Sequence, residues 1–447
     1  MQATDDLITT EEREEHIVSH QVNAPQTEHQ YGASVSKSSA TRRRNVCMLA
    51  YTDYECDNRV RRYAETLAKR GDQVDVIALS SALFTSPKET ICGVTVYRIQ
   101  HRNKDEKHRW SYAWRLLRFL LSSSRTIAHL HSKNHYDVVH IHNMPDFLVF
   151  AAWYPKLRGA KLILDIHDLT PEMFGSKFAV KHTSFYVKML KTVEKLSANF
   201  VDHVIVSNHL WRDTLLARSV PTERCSVFIN HVDSAIFYRR PKQRNDSKFI
   251  ILFHGGFQWH QGLDLAIEAF AKVRTKLPFA ELHLYGGGSK KITVELESLA
   301  QRLGLRESVK FCGSVPLDAI GEVVANADLG VVPKRADSFG NEAYSTKIME
   351  FMSQGVPVVV SRTKVDTYYF NEDTVRFFRS GDIDALAEAI LDIAGNEELR
   401  NSLVAQGLEY VERNGWEEKK KEYLDLVDTL SAQCRNDMPL ERMSVSP

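Results

Sequence analysis

The amino-acid sequence predicts an α/β protein built from two Rossmann-like, doubly wound domains with parallel sheets. Short apolar runs typical of strands alternate with stretches of helical periodicity between residues 45 and 430. The gaps between successive strands are long enough to hold a crossover helix, which parallel strands require. A polar, basic stretch at 237–248 interrupts this alternation and contains Pro241. We therefore expect a linker there, between two domains.

The first domain is predicted to span residues 45–236. An apolar strand at 45–51 precedes a helical pattern at 59–70, which Gly71 ends. A second strand follows at 73–79, and further strand-like runs lie at 138–142, 161–165 and 203–207. Because the carboxyl ends of parallel strands meet at one edge of a sheet, we expect a site at that edge.

The second domain is predicted to span residues 249–412 and repeats the pattern. Its strand-like runs lie at 249–253, 281–285, 309–311, 329–332 and 356–360. A final helix is expected at 413–432, and residues 433–447 are expected to form a flexible tail.

Composition and charge exclude several classes of protein. Of the 447 residues, 43% are hydrophobic and 26% are charged, and the net charge of +1 gives no general attraction to nucleic acid. Residues 1–44 begin acidic and become rich in Ser, Thr, Gln and His, without the apolar segment of a secretory signal. We expect a disordered extension there. We also expect no transmembrane helix, because no run of about 18 apolar residues occurs.

The six cysteines are scattered at positions 47, 56, 92, 225, 312 and 434, with no CxxC pair. No histidine cluster has zinc-like spacing, and no pair of aspartates is placed for a metal at a strand end. This pattern predicts reduced thiols in a cytoplasmic protein, with neither a disulfide framework nor a metal site.

The segment 338–361 carries two carboxylates in a defined setting. Glu342 lies in a turn-rich stretch, and Glu350 lies in an apolar-periodic helix that Gly355 ends. Backbone amides at the start of that helix, at Thr346 and Lys347, suit a diphosphate, while a carboxylate accepts paired hydrogen bonds from sugar hydroxyls. Two glutamates at this spacing are also common without such a role, one favouring the helix dipole and one solvated. Spacing alone leaves both interpretations open.

The same residues resemble the signature of the family 4 retaining glycosyltransferases. That signature joins Glu342 and Glu350 with Lys347, Gly355 and a Pro-Val-Val run that begins at Pro357. Three further segments, 227–237, 262–270 and 282–288, resemble other elements of the family in the right order. The resemblance covers roughly residues 45 to 430, and four ordered motifs are far more specific than any one of them.

This resemblance implies a GT-B fold, in which two Rossmann-like domains face a cleft and the final helix crosses back to the first domain. It implies retaining transfer of a sugar from a nucleotide-sugar donor, a UDP- or GDP-sugar, with no other cofactor and no metal. The acceptor would be a hydroxyl of a glycan or of a lipid-linked molecule, held on the side of the first domain.

The resemblance places the donor in the second domain. Gly255 and Gly256 follow the strand that ends at residue 253, and Gly286 follows the strand that ends at residue 285. Glycines allow close approach of a phosphate or a base, although each of these could simply form a tight turn. Glu342, a candidate catalytic residue, would hold donor sugar hydroxyls. The other donor-binding candidates are Gln261, Arg335, Ser345, Thr346, Lys347 and Glu350.

The chain departs from the family at two cations. The family has an Arg directly after the first glycine and a Lys directly before the Gly-Leu-Asp helix, whereas this chain has Gly256 and Gln261. Each charge-assisted contact to a diphosphate stabilises the complex by roughly 1.5–3 kcal/mol. We expect Arg335, or Lys334 beside it, to substitute together with Lys347 and the helix N-terminus.

Three alternatives remain open at this point. Lys334 and Arg335 could be ordinary surface charges. Without a substitute cation, the chain would be a catalytically inactive GT-B-like binding or scaffold protein. A dinucleotide enzyme would also suit two Rossmann-like halves, but no GxGxxG motif follows the first strand.

Candidate residues of the first domain also follow predicted strands. His142 matches the position of a family histidine near the donor sugar, so it is the second candidate catalytic residue, although a histidine in a strand is often structural. Asp165, His167 and Asp168 end the next strand and could orient an acceptor. Asp53 lies in the loop after the first strand, where the neighbouring Asp57 could instead cap the next helix.

Residues 101–125 combine basic and aromatic side chains in a helical pattern. Such a segment fits a protein that touches an anionic membrane surface, and a second basic segment lies at 177–195. The alternative is a solvated face over an ordinary core stripe. We expect a cytoplasmic protein that can bind peripherally to a membrane.

Overall fold

The computed structural model describes residues 43–80, 85–101, 109–178, 180 and 183–436. Residues 1–42, which make up nearly all of the predicted extension, lie outside the described residues, as do residues 437–447. Arg44 is already anchored to the first domain, because its backbone N–H donates to Asp72 Oδ1 at 2.9 Å.

Within the described residues, the first sheet has eight strands in the order β3-β4-β2-β1-β5-β6-β7-β8. All of its neighbouring strands are parallel except β3, which forms an antiparallel hairpin with β4. The sequence pattern did not indicate this hairpin at the edge. The strands are β1 (Asn45–Leu49), β2 (Gln73–Ser80), β3 (Lys88–Ile91), β4 (Val94–His101), β5 (Val138–His142), β6 (Lys161–Ile166), β7 (His203–Val206) and β8 (Cys225–Val227).

Helices cover both faces of this sheet, as the alternation of buried side chains in β1 requires. Val46 and Met48 pack with α1, whereas Cys47 and Leu49 pack with α2 and its neighbours on the other face. The helices are α1 (Asn58–Arg70), α2 (Arg109–Asn134), α3 (Trp153–Leu157), α4 (Thr170–Lys177), α5 (Phe185–Phe200) and α6 (His209–Leu216). Shorter 3-10 turns lie at Tyr54–Cys56, Asp146–Ala152 and Thr222–Arg224.

Helix α1 has clear start and stop signals. The Asp57 carboxylate accepts hydrogen bonds from the backbone N–H groups of Arg59 and Val60, so Asp57 is the N-cap. Gly71 ends the helix with a φ of 101°, a left-handed conformation that favours glycine.

The second sheet of the described residues has six strands, all parallel, in the order β11-β10-β9-β12-β13-β14. They are β9 (Phe249–Phe257), β10 (Ala280–Gly288), β11 (Val309–Gly313), β12 (Leu329–Val332), β13 (Val358–Arg362) and β14 (Arg376–Arg379). The helices are α7 (Leu263–Lys276), α8 (Lys290–Arg302), α9 (Leu317–Ala325), α10 (Thr346–Ser353), α11 (Lys364–Tyr369), α12 (Ile383–Gly395) and α13 (Glu397–Asn414). The two doubly wound parallel sheets confirm the predicted fold class.

The glycines expected in turns lie inside two paired strands. Strands β9 and β10 continue beyond residues 253 and 285, and Gly255 is aligned with Gly286. A Cβ on Gly286 would lie 1.9 Å from the Gly255 carbonyl oxygen, so only glycine permits this approach of the two backbones. The alternative of tight turns is therefore wrong, because the absent side chains let the ladder continue.

The chain crosses between the two sheets twice. The first crossing runs from residue 228 to residue 248, and its end is held to the second domain by an ion pair between Arg244 and Asp328. The second crossing leads into α14 (Trp416–Asn436), which packs on the first sheet through Trp416 and Tyr423. Helix α14 includes the first residues of the segment expected to be a flexible tail. No described helix combines the length and the apolar character needed to cross a bilayer.

Candidate active site

The two domains touch beside the loop that carries Glu342. The Asn208 side-chain amide, at the end of β7, donates to the Glu342 backbone carbonyl at 3.1 Å. Next to it, His209 Nδ1 lies 2.7 Å from the Tyr369 hydroxyl of α11. The Glu342 carboxylate is partly exposed and lies 3.7 Å from Lys364 Nζ. This carboxylate therefore lies at the domain boundary.

The Lys347 side chain lies against Gly255 of β9. A Cβ on Gly255 would be 2.7 Å from Lys347 Cε, so the glycine leaves the space that the lysine side chain fills. Lys347 Nζ donates to Gln261 Oε1 at 3.2 Å. Burial lowers the pKa of Lys347 to about 8, while Glu350 acts in the opposite direction. A cation therefore lies beside position 261, where the family resemblance expects a lysine.

Glu350 lies on the same helix, one turn after Lys347. It is the fifth residue of α10, and so lies in the second turn of the helix and not in the first. Its Oε2 is 3.4 Å from Nε2 of His254, which directly precedes Gly255 in β9. Burial raises the pKa of Glu350 to about 7 and lowers that of His254 to about 3. His254 is therefore a neutral side chain near neutral pH.

The N-terminus of α10 completes this side of the site. Ser345 is the N-cap residue, and its buried Oγ has no hydrogen-bond partner among the described residues. The backbone N–H groups of the first helical turn, from Thr346 onward, have no acceptor within the helix. Oriented N–H groups and a hydroxyl next to Lys347 suit an anionic ligand.

Arg335 is already engaged within the second domain. Its guanidinium donates to both oxygens of Asp264, with an Nη2–Oδ2 distance of 2.5 Å, and stacks 3.7 Å from the centroid of the Trp259 ring. It also donates to the Trp259 carbonyl at 2.8 Å. A diphosphate would have to compete with this ion pair, so Arg335 is a less direct substitute cation than the sequence indicates.

Lys334 is an interior residue. Its side chain is only 2% exposed, donates to the Ala343 carbonyl at 2.7 Å and lies 2.8 Å from Asp366. The structure contradicts the idea that Lys334 is a surface charge. Because its charge is neutralised by Asp366, Lys334 supports the loop before α10 and leaves no open charge for a donor.

Asp165 forms a buried ion pair with Arg59. Arg59 Nε and Nη2 lie 2.8 and 2.7 Å from the two carboxylate oxygens, and both side chains are almost completely buried. Although burial alone would raise it, the guanidinium holds the pKa of Asp165 well below its usual range. Arg59 Nη1 also donates to Asn230 Oδ1 at 2.9 Å. Asp165 is therefore engaged inside the fold, and its role in orienting an acceptor stays a prediction.

The Asp165 carboxylate orients two histidines at the strand ends. Its Oδ2 is 3.1 Å from His142 Nδ1 and 3.0 Å from His167 Nε2. The ionised carboxylate accepts from His142 Nδ1, and His167 Nε2 lies 3.2 Å from that nitrogen as well. His142 then has a lone pair on Nε2, which is buried without a partner among the described residues. Burial lowers the pKa of His142, so this imidazole is neutral.

His140 extends this cluster toward the C-terminal helix. Its ring stacks on that of His142 with centroids 4.3 Å apart, and its Nδ1 is 3.0 Å from the Tyr423 hydroxyl. One ligand atom from each of His140, His142 and Asp165 could meet at a metal ion. Arg59 already holds both oxygens of Asp165, and its charge would repel a second cation. The cluster therefore favours a charged hydrogen-bond network over a metal centre.

The remaining first-domain candidates lie around this network. The Asp168 backbone carbonyl accepts from the Asn143 side chain at 2.9 Å, and burial raises the pKa of the Asp168 carboxyl. Asp53 is 6% exposed and precedes the 3-10 turn before α1. The structure thus brings His142, Asp165 and His167 together and places Lys347, Gln261 and Glu350 together on the other domain.

Sequence reasoning missed Arg59, His254 and Asp264. An arginine in the first turn of a helix has no local signal that it pairs with an aspartate 106 positions later. His254 did have a signal, because it is a polar residue directly after the apolar run 249–253.

Comparison with known proteins identifies the family. Residues 56–231 match the family model described as a glycosyl transferase 4-like domain, and residues 235–410 match the model described as glycosyl transferases group 1. The chain belongs to the family 4-like glycosyltransferases of the GT-B fold. An uncharacterized glycosyltransferase of Methanocaldococcus jannaschii is 26% identical over 67% of this chain and 74% of its own length.

Two solved structures show the same fold as this glycosyltransferase. Sucrose-phosphate synthase from Thermosynechococcus elongatus aligns with a TM-score of 0.70 at 21% identity, over 87% of this chain and 100% of its own. Anabaena HepE, solved in complex with UDP-glucose, aligns with a TM-score of 0.64 at 16% identity, over 88% and 98% of the two chains. The predicted GT-B fold and glycosyltransferase family are confirmed.

The Arg59–Asp165 pair generates a stability prediction. We expect Arg59→Met to lower the free energy of unfolding at pH 7 by about 3–5 kcal/mol, because it leaves a buried carboxylate unpaired. In the native protein the pKa of Asp165 is depressed, so the contribution of the pair is present above the unfolded pKa and is lost as pH falls through the folded one. Urea unfolding at pH 7 and at about pH 3, below the ordinary aspartate pKa, measures both effects.

Arg61→Met is the matched control, because Arg61 pairs with Glu65 on the partly exposed face of the same helix. It should cost less than about 1 kcal/mol. The double variant Arg59→Met/Asp165→Asn should regain part of the lost stability. Equal losses for Arg59→Met and Arg61→Met would contradict the importance of the buried pair.

Proposed function

We propose that this glycosyltransferase is a cytoplasmic, retaining enzyme that transfers a hexose from a nucleotide-sugar donor to a hydroxyl of a glycan or a lipid-linked acceptor. The donor is a UDP- or GDP-sugar, and no metal or further cofactor takes part. HepE, which shares the fold, was solved with UDP-glucose. That ligand supports the donor class proposed here.

The observation that carries this proposal is the position of Lys347. The chain lacks a lysine at Gln261, yet Lys347 Nζ lies 3.2 Å from the Gln261 side chain. Lys347 thus brings a cation from α10 next to position 261, which supports the proposal. Lys347 lies near the N-cap Ser345 and the helix N-terminus, so cation, hydroxyl and backbone N–H groups can act together on a diphosphate.

The two glutamates would then divide the donor between them. Glu350, on α10, would accept hydrogen bonds from the ribose hydroxyls, and Glu342 would hold hydroxyls of the donor sugar. His142 presents a neutral Nε2 lone pair from the first domain, which suits a further hydroxyl of that sugar. Each of these groups would bind a neutral hydroxyl, while Lys347 and the N-terminus of α10 would stabilise the charge of the leaving diphosphate.

Retention fits a front-side reaction in this setting. The bond between the anomeric carbon and the diphosphate oxygen breaks, and the bond to the acceptor oxygen forms on the same face. The acceptor proton passes to the leaving diphosphate oxygen, so no protein base is needed. The engaged state of Asp165 favours this route, because that carboxylate is held by Arg59 and two histidines and is not available as a base.

Donor binding can be tested directly. In a thermal-shift panel of UDP-, GDP- and ADP-sugars, we expect one nucleotide class to raise the melting temperature. Lys347→Met keeps the aliphatic stem against Gly255 and should weaken that donor by roughly tenfold or more, since it removes a charge-assisted contact. Lys421→Met on the exposed face of α14 is the control and should bind like the native protein. Stabilisation by none of the sugars would favour the inactive scaffold.

A second prediction uses the other missing cation. A Cβ on Gly256 would meet nothing closer than the Gln258 side chain at 3.6 Å, so this position accepts a larger residue. We expect Gly256→Arg to tighten donor binding by roughly tenfold or more, because a cation is added beside the diphosphate. Gly256→Met, which adds bulk without charge, should not. Calorimetric titration with the donor found in the panel measures both, and weaker binding by both variants would contradict this placement of the diphosphate.

An exposed apolar face of the first domain favours a lipid-linked acceptor. Of the predicted basic and aromatic segment 101–125, His101 is the last residue of β4 and residues 109–125 lie in helix α2. Residues 102–108 lie outside the described residues. The face extends beyond the predicted segment 101–125, because the 3-10 turn Asp146–Ala152 packs between α2 and α5. Its exposed apolar side chains include Trp114, Leu117, Leu121, Trp153, Leu157, Phe185, Met189 and Leu196.

The charges around this face complement an anionic bilayer. Helix α2 has no acidic residue, and the single glutamate of α5, Glu194, is buried and paired with Arg218. The exposed basic side chains of the two helices include Arg118, Arg125, Lys188 and Lys195. Exposed aromatic and aliphatic groups with basic neighbours are typical of surfaces that insert into the headgroup region. We propose that this face binds the membrane that carries the acceptor.

Vesicle sedimentation tests the membrane proposal. We expect the protein to sediment with phosphatidylglycerol vesicles but not with pure phosphatidylcholine, and salt should weaken the binding. Leu157→Asp places a charge at a residue that is 76% exposed in this face and should reduce binding several-fold. Val294→Asp makes the same change at a 48% exposed site in the second domain and should have no effect. Equal binding by both variants would argue against this face.

A further inference from the structure

The guanidinium of Arg62 has two buried N–H groups that are suited to binding an anion. Arg62 lies one turn after Arg59 in α1, is 9% exposed, and donates through Nη1 to the His231 carbonyl at 2.6 Å. Its Nε and Nη2 are buried and have no hydrogen-bond partner among the described residues. These two nitrogens form the edge of a guanidinium that binds carboxylate or phosphate through two parallel hydrogen bonds.

The neighbouring arginine shows what that edge does in this protein. Arg59 uses the same two nitrogens to hold Asp165 at 2.8 and 2.7 Å. Arg62 has no such carboxylate and is instead flanked by the rings of Trp416 and Tyr63, whose centroids are 5.1 and 5.9 Å away. Burial lowers the pKa of Arg62 to about 10. The rings flank the guanidinium, and no carboxylate hydrogen-bonds to it among the described residues.

Arg62 lines a pocket of about 420 Å³, within the size range of small-molecule sites. The walls come from α1, from residues 232–236 of the first crossing, and from the start of α14. Thr66 and Ser234 add hydroxyl groups to its lining. The Thr66 hydroxyl oxygen accepts from the Trp416 indole N–H at 2.9 Å, so its proton can be donated to a ligand.

The charges lining this pocket favour an anionic ligand. Its cationic side chains are those of Arg61, Arg62, Lys69, Arg70 and Lys420, against three carboxylates. The carboxylates are engaged locally: Glu65 by Arg61 at 3.1 Å, Asp233 by the Ala235 N–H at 2.9 Å, and Glu417 by Lys420. None of the three hydrogen-bonds to Arg62, and Asp233 acts on its charge only from a longer distance.

We propose that this pocket binds a phosphate-bearing small molecule, with the phosphate held on the Nε–Nη2 edge of Arg62. The chemistry that recognises it is the bidentate guanidinium together with Lys69, Lys420 and the two hydroxyl groups. This site lies where the first and second crossings of the chain meet α1, and it is distinct from the proposed donor site around Lys347.

The position of the pocket gives the ligand a regulatory role. Arg62 holds the His231 carbonyl of the first crossing, and His231 Nδ1 is 2.8 Å from the Asn414 carbonyl at the start of the second. A phosphate on Arg62 therefore joins α1 of the first domain to both segments that connect the domains. In a GT-B protein these segments must flex when the domains move, so the ligand would alter donor turnover without touching the donor.

Thermal melts of the full chain in inorganic phosphate test the proposal, with sodium chloride of equal ionic strength as reference. We expect phosphate to raise the melting temperature of the native protein and of Lys347→Met, which separates this site from the donor site. Arg62→Met retains an aliphatic side chain, removes the guanidinium and should abolish the shift. No phosphate-specific shift in the native protein would overturn the proposal, as would a shift that survives Arg62→Met or disappears in Lys347→Met.

A second pair of variants covers the case in which Arg62→Met does not fold. Lys420→Glu reverses a charge on the wall of the pocket, whereas Lys421→Glu makes the same change at an exposed neighbour on α14 that does not line it. We expect phosphate affinity to fall about tenfold in the first variant and to stay unchanged in the second. Equal affinities in the two variants would overturn the proposal. Failure of every nucleotide sugar to bind would leave this result unaffected, so the two hypotheses fail separately.

Discussion

The buried ion pair between Arg59 and Asp165 determines the geometry of the first domain's half of the site. One carboxylate at the end of β6 receives a guanidinium from α1 and the Nδ1–H group of His142, and His167 Nε2 lies 3.0 Å from it. Because the guanidinium keeps Asp165 ionised, the His142 imidazole carries its proton on Nδ1. The same arginine reaches Asn230, so the first crossing is tied to this network. The neutral imidazole of His142, with its unpartnered Nε2, is thus a consequence of the buried charge of Asp165.

The second domain meets a different constraint, because the fold itself pairs cations near the start of α10 with anions. Its sheet brings two glycine-containing strands together so closely that no side chain fits at Gly286, and Lys347 fills the space over Gly255. The other nearby cations are neutralised within the fold, Arg335 by Asp264 and Lys334 by Asp366. Position along the chain therefore says little about which cation is available. What matters is whether the fold already provides that cation with an anion.

The fold was largely predictable from sequence, whereas the partners of charged residues were not. Strand and helix patterns depend on local periodicity, so the two parallel sheets followed from short segments such as 45–51 and 249–253. The β3–β4 hairpin escaped because its exposed edge strand, Lys88–Ile91, is short and polar. Asp165 and Lys334 looked like open functional groups because nothing near them in sequence reveals Arg59 or Asp366. Both partners are set by tertiary contacts that have no sequence periodicity.

The absence of cations at positions 256 and 261 would affect how the proposed sugar transfer proceeds. With a single side-chain cation, the leaving diphosphate would rely strongly on the backbone N–H groups at the start of α10 and on Ser345. Such groups are fixed by the helix and need no reorganisation when charge develops on the leaving oxygen, so they stabilise a transition state efficiently. They also cannot reach out to capture a donor as a long arginine can. The loss of the cations at positions 256 and 261 should therefore affect donor affinity more than the chemical step.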